Sequence, residues 1–218
     1  MAALIAKKGE GVPTMKREAE VKELLVSNAI RLIAEGGFEK ATTKELTLCG
    51  GHLPDLKMNE VYIYRLYGNK EHLYEEVFHK LDLELWDAFR SELKAIGGFE
   101  QDAKEKMYRF FLKAWKFILG NEQKCRCYIR FYYSIYFKGE SLKEHDRMFA
   151  DVIAELAPFF KPEADVVAIL HSVFTALFDF AIRVYNGELE YSDINRPHVF
   201  NVLFCMMSTY FKPATRVS

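Results

Sequence analysis

Apolar residues recur at spacings of three and four along almost all of this 218-residue chain, and no clear run alternates at every second position between hairpin turns. That period constrains the fold most, because a sequence written for helices cannot also present one clean face as a strand. The class read from it is all-α. Caps and breakers then divide the chain into about nine helices. The first opens after Pro13-Thr14 and runs to Glu35 with a stripe of Val21, Leu25, Ala29, Leu32 and Ile33; Gly36-Gly37 end it and Phe38 turns inward. Thr42 and Glu45 have capping-box spacing, so a second, short helix starts there and stops at Gly50-Gly51. After a linker broken by Pro54, Asn59 caps a short aromatic helix, Glu60 to Tyr67, which Gly68-Asn69 terminates. A long helix follows from Lys70 to Ala95, and five more are read at 101–119, 122–137, 142–160, 164–185 and 196–211.

Composition narrows the class further. The chain is 50% hydrophobic and 28% charged, with 12 Gly and 6 Pro, which suits a globular core and excludes disorder or a collagen-like repeat. No stretch reaches the ~18 uninterrupted apolar residues of a bilayer span. Even Val166 to Ile182 contains His171, Ser172, Thr175 and Asp179. Between Met1 and Pro13 an apolar patch precedes Lys7 and Lys8, the reverse of the order in a signal peptide. The four cysteines, Cys49, Cys125, Cys127 and Cys205, have no disulfide-framework density. A cytoplasmic protein with no membrane partner is expected.

Two short helices joined by a turn, the second with an exposed start, form the arrangement in which the second helix enters a DNA major groove while the first crosses the backbone. Over residues 24 to 78 the sequence resembles the TetR family of bacterial transcriptional regulators. The first helix carries Leu25, Ala29, Ile30, Leu32, Ile33 and Ala34 before Glu35-Gly36-Gly37-Phe38, and Ala41-Thr42-Thr43 with Glu45-Leu46 is similar to the family's second-helix start. The most diagnostic run is Ile63-Tyr64-Arg65-Leu66-Tyr67-Gly68-Asn69-Lys70-Glu71-His72-Leu73-Tyr74, an aromatic recognition helix giving way to the next long helix. The resemblance implies a DNA-binding module at 21–70, behind an arm at 1–20, and a ligand-binding and dimerisation domain at 71–218.

Physical chemistry assigns roles to the same residues. Thr42 or Thr43 at a helix start can present a hydroxyl and backbone N–H groups to a phosphate, and Lys70 can neutralise another. Asn59 and Glu60 stand at the start of the recognition helix. From it Tyr62, Tyr64 and Arg65 project toward base edges or thymine methyls, while Ile63 and Tyr67 face the module's core. The chain departs from the family pattern in two places. The turn between Glu45 and Asn59 is about six residues longer, the surplus lying around Gly50-Gly51-His52-Leu53-Pro54-Asp55. Met1 to Glu75 also holds eleven Lys/Arg against eleven Asp/Glu, so the module is neutral. Weak non-specific DNA affinity is expected unless Lys7, Lys8, Lys16 and Arg17 act as a basic arm.

The larger domain is crowded with aromatics between Tyr108 and Phe137, more than one helix pair needs to fill a core, and a concave aromatic pocket is read there. Its expected ligand-binding residues are Tyr108, Phe111, Trp115, Tyr128 and Phe131, with Trp86, Phe89 and Phe178 from neighbouring helices. Arg126 and Arg130 lie four apart; either can meet an anionic ligand or pair with a surface carboxylate, and Arg130 is included among the ligand-binding candidates. Asp179 and Arg183 have the spacing of an intrahelical ion pair, and His171 is read as a satisfied buried histidine. The last two helices carry more apolar residues than one partner helix can cover; the resemblance implies that these two helices of each subunit form a four-helix interface, and a symmetric homodimer is expected.

No GxSxG, HExxH, P-loop or GxGxxG occurs, so no enzyme is expected. Cys49-Gly-Gly-His52 lacks the second ligand pair of a zinc site, and no metal or cofactor is expected. The function expected from the resemblance is a ligand-responsive regulator, a repressor released from double-stranded operator DNA by a small apolar or aromatic effector. The alternative is a dimeric helical ligand-binding or interaction protein that has lost DNA binding through the longer turn at 50–57.

Overall fold

The structure, a computed structural model, describes residues 15–48, 58–96, 103–190, 192 and 194–212. Among these residues nine α-helices follow one another: α1 Met15–Gly36, α2 Thr43–Leu48, α3 Val61–Tyr67, α4 Lys70–Ile96, α5 Ala103–Gly120, α6 Glu122–Tyr132, α7 Gly139–Leu156, α8 Val166–Tyr185 and α9 Asn195–Ser208. The linker at 50–57, the Cys49/His52 pair and the Lys7/Lys8 arm lie outside the described residues, as does the side chain of Lys16.

The expected stripe on α1 is buried, and so is a second row, Val26, Ile30 and Ala34. Two buried rows are what a helix needs when it is covered on two sides. One side of α1 meets α2 and α4, and it packs at greatest length against α6, far along the chain. α1 therefore joins α2 and α4 to α6. The ends of α1 and α3 are set by glycines with left-handed backbone. Gly37 (φ 80°) sends its N–H to the Ile33 carbonyl at 2.9 Å, and Gly68 (φ 79°) sends its own to Tyr64 at 2.9 Å.

Three helices depart from their sequence-read limits. α6 stops at Tyr132, not Phe137, because Ser134 competes for the backbone: its Oγ donates to the Phe131 carbonyl at 2.7 Å and accepts the Tyr136 N–H at 3.1 Å. α7 begins at Gly139 and ends at Leu156, where a 3-10 turn, Ala157–Phe159, accommodates Pro158. α9 ends at Ser208, which leaves Phe211 to form an antiparallel bridge with Phe160; Lys161 N–H donates to Tyr210 O at 2.8 Å and Lys212 N–H to Phe159 O at 3.0 Å.

An aromatic seam closes the two parts onto each other. The Phe38 ring, just past α1, lies 5.1 Å from Tyr74 of α4, 4.6 Å from Tyr136 and 5.8 Å from Phe131 of α6. Tilted and edge-on contacts of this kind add to the area they bury.

Candidate functional site

The short helices α2 and α3 are too brief to hold themselves, so their neighbours fix them. Buried Asn28 on α1 donates its amide to the Leu46 carbonyl at 2.9 Å, and the Tyr74 hydroxyl of α4 donates to the Ala41 carbonyl at 2.7 Å. Thr42 caps α2 by accepting the Glu45 N–H at 3.2 Å. Asn59 accepts the Val61 N–H at 3.0 Å, and Asn69 accepts the His72 N–H at 2.7 Å at the head of α4. Ile63, fully buried, pins α3 to this frame.

With Ile63 inward, the opposite face of α3 is free. Tyr64 is 54% exposed and Arg65 is exposed, its guanidinium 4.7 Å from the Tyr62 ring. Tyr62 itself is half-buried beneath it. Val61, 66% exposed, shares the face at i, i+3 and i+4 and belongs with the two as a surface able to meet a thymine methyl. Sequence reading passed it over, although the inward setting of Ile63 already places Val61 outward. Thr42 is exposed at the start of α2; Thr43 donates its hydroxyl to the Glu60 carboxylate at 3.0 Å. Lys70 sits half-buried with its ammonium 5.5 Å from the Tyr74 ring. The Asn59 side chain is occupied as a cap, and Glu60 presents a negative charge beside Thr43.

An apolar cavity of about 340 Å³ is lined by α4, α5, α7, α8 and α9. Phe89 and Phe111 of the expected set line it, together with Phe110, Phe174, Phe200 and Phe204. The Phe160–Phe211 bridge and Lys212 stand in its wall. A second cavity, about 40 Å³, lies among α4, α6, α7 and α8 and takes Trp86, Tyr128 and Phe178 from the expected set. Phe174 lines both cavities, its ring stacked on Phe89 at 5.6 Å.

The remaining aromatics of the expected pocket line neither cavity. Trp115 is buried against Phe111 at 5.7 Å, Phe131 is buried and stacked on Phe78 at 4.5 Å, and Tyr108 packs edge-on to Phe200 at 4.9 Å. Arg130 does not reach a cavity; it donates to the Ile33 carbonyl at 3.0 Å. Arg126 makes the surface pairing expected of it, with Glu122 at 2.7 Å, and Arg183 meets Asp179 at 2.8 Å.

The small cavity borders a polar cluster that sequence reading missed. Asp82 on α4 is buried, accepts the Tyr128 hydroxyl at 3.0 Å and lies 3.1 Å from Nδ1 of buried His145 on α7. Burial, then the Asp82 charge, holds the Tyr128 phenol well above its usual range. His171, far from sealed, has its Nδ1 3.5 Å from the Tyr132 hydroxyl; burial and then the nearby His145 lower its pKa and favour the neutral ring. No single-helix pattern announces this cluster, because its members come from α4, α6, α7 and α8. Among the described residues, no group of three or more His, Cys, Asp or Glu could hold a metal ion.

No family model matches the chain, and no curated protein matches it. Solved structures do. A TetR family transcription regulator from Marinobacter aquaeolei VT8 is 17% identical, with a TM-score of 0.71 over 88% of this chain and 98% of that one. A putative TetR family regulator from Shewanella sp. PV-4 is 13% identical, with a TM-score of 0.68 over 88% and 99%. FadR from Bacillus halodurans, described as a fatty acid degradation regulator, is 16% identical, with a TM-score of 0.58 over 83% and 96%. The chain has the fold of the TetR-family regulators.

Proposed function

We propose that this chain is a DNA-binding transcriptional regulator: a symmetric dimer whose α2–α3 unit docks on operator DNA, acting as a repressor that a small apolar or aromatic molecule releases. The observation that carries the reading is the free face of α3, Val61, Tyr64 and Arg65, held outward by buried Ile63. Its geometry suits insertion into a major groove, with Thr42 and Lys70 at helix starts on either side to take phosphates. Operator half-sites one helical turn apart would then be read by the two copies.

Dimerisation is supported by α8. It is by length and composition apolar enough to cross a membrane, yet only 22% of its most apolar window is buried within the chain. Val167 on α8 and Val202 on α9 are 46% and 48% exposed. A second copy laid on α8 and α9 would remove that surface from water. Effector response is supported by α4, which starts in the module at Lys70 and lines both cavities further along, at Trp86 and Phe89. A molecule that repositions α4 changes the spacing of the two modules, so its affinity opposes DNA affinity by linkage.

The test is binding of the purified protein to its own upstream DNA at low and moderate salt, beside a folded Tyr64→Ala, Lys70→Ala variant. Sequence-selective, salt-dependent binding that the variant loses is the expected result. A folded dimer with no selectivity at low salt on that DNA or across a random-sequence pool overturns the reading in favour of a ligand-binding or interaction protein.

A further inference from the structure

The large cavity is walled almost wholly by hydrocarbon. Among the described residues its lining consists of phenylalanine, leucine, methionine, valine, alanine and proline, and Lys212 alone brings a polar side chain. A ligand group that needs a hydrogen bond finds no side-chain partner in the interior, and burying it there unpaired costs free energy. Sugars, nucleotides and peptides, polar along their whole length, are disfavoured on that ground. A hydrocarbon that is polar at one end is not, and a space of about 340 Å³ is of ligand size.

The polar end is placed by the mouth. Lys212 and Pro158 are exposed and belong to the same lining, so the cavity meets solvent at their end. The chain around Lys212 holds its charge there: its N–H donates to the Phe159 carbonyl at 3.0 Å, its ammonium donates to the Pro158 carbonyl at 2.6 Å, and Phe211 beside it is bridged to Phe160. Pro158 takes one of the three ammonium donors. An ammonium only donates, so the head it meets must accept, and a negative head adds charge attraction. Lys104 contributes the same sign, its ammonium 5.7 Å from the ring of Phe204, a cavity wall that lies 6.1 Å from Phe211. Among the described residues no Asp or Glu lines the cavity to oppose them. Because Lys212 is exposed, an anion beside it keeps part of its hydration and escapes the penalty of full burial. We infer that the effector is a single-tailed amphiphile: a hydrocarbon tail fills the large cavity and one terminal anion, such as a carboxylate, accepts from Lys212 Nζ at its mouth. This rests on the reading of the helical domain as an effector domain, and adds to it the chemical class and the residue that selects it.

Three ten-carbon probes that share a tail and differ in the charge of the head test it: decanoate, 1-decanol and decylamine, measured by equilibrium dialysis against the full-length protein at neutral pH and low salt. Decanoate should bind about fivefold more tightly than decanol, the range of an exposed ion pair, and decylamine should bind most weakly. High salt should shrink the preference for decanoate. Lys212→Met keeps the aliphatic stem and the main-chain bond to Phe159; it should lower decanoate affinity about threefold and leave decanol unchanged. Lys212→Glu should reverse the order, so that decylamine binds above decanoate, a gain that a misfolded variant cannot produce. Decanol or decylamine binding the parent chain as tightly as decanoate, or both Lys212 variants binding decanoate as the parent does, overturns the inference and leaves the effector-domain reading standing. Binding of none of the three probes overturns both.

Discussion

The Arg130 guanidinium on α6 donates to the main-chain carbonyl of Ile33, in the last turn of α1, at 3.0 Å and across 97 positions of sequence. The same carbonyl accepts the Gly37 N–H at 2.9 Å, so both of its lone pairs are used. A cation at a helix C-terminus also meets the negative end of the helix dipole. Arg130 thereby ties the helix that supports α2 to the helix that lines the small cavity through Tyr128 and Tyr132.

Removing this tie should destabilise the fold and loosen the module. Arg130→Met, which keeps much of the aliphatic stem, is expected to lower stability by about 1 to 2 kcal/mol in urea unfolding. Amide exchange should quicken in the last turn of α1 while α8 is unaffected. Unchanged exchange there would show that the α1–α6 packing and the Phe38 seam hold that turn without the Arg130 contact.

The buried cluster makes a sharper case. Asp82→Ala leaves the Tyr128 hydroxyl and His145 without their shared acceptor and should cost roughly 3 kcal/mol or more. Tyr128→Phe removes one donor only and should cost about 1 kcal/mol. A double-mutant cycle between the two positions is expected to show strong non-additivity, since both act through one carboxylate.

On the proposed DNA-binding surface, the Glu60 charge is expected to oppose binding. Glu60→Gln keeps an oxygen for the Thr43 hydroxyl and removes the negative charge. Non-specific DNA affinity at low salt should rise roughly threefold with thermal stability unchanged, and the gain should vanish at high salt. Weaker binding by the variant would mean that Glu60 takes part in base readout.

Val202→Glu should place a charge in the centre of the α8–α9 surface. Light scattering is expected to report a dimer for the parent chain and a monomer, or a dimer weakened at least about tenfold, for the variant. A monomeric parent at micromolar concentration would remove the basis for paired half-sites.

Burial pushes the Cys125 thiol up to about 11 and the Cys127 thiol up to about 12. An unfolded cysteine ionises near ~8.5, so above that pH the unfolded chain has shed protons that the folded chain keeps. The folded state binds more protons, and stability therefore falls as pH rises from about 8.5 toward 11. Urea midpoints at pH 7, 9 and 10 should decline in that order, and Cys127→Ala should flatten the decline. In a Cys49→Ser, Cys205→Ser background neither remaining thiol should react with a thiol reagent at pH 8 until the chain unfolds.

The sequence by itself determined the helical class, the order of nine helices and the positions of most breaks, because period and cap chemistry are local. Thr42, Asn59 and Gly68 announce their roles through neighbours two to four residues away, and the structure finds them in those roles. The outward face of α3 was mostly readable for the same reason; only Val61 was passed over. What the tertiary structure decided is which aromatics face empty space. Phe111 and Trp115 share a helix, a chemistry and a near-stacked geometry, yet one lines the large cavity and the other is sealed in the core. Spacing alone cannot separate them, since the difference is made by α9 and α8 arriving from the far end of the chain. Arg130 belongs to the same lesson: its partner is the carbonyl of Ile33, a main-chain atom that every residue possesses and that no sequence pattern marks. The cluster of Asp82, Tyr128 and His145 exists only where three helices converge, and long-range convergence is the part of folding that local periodicity does not encode.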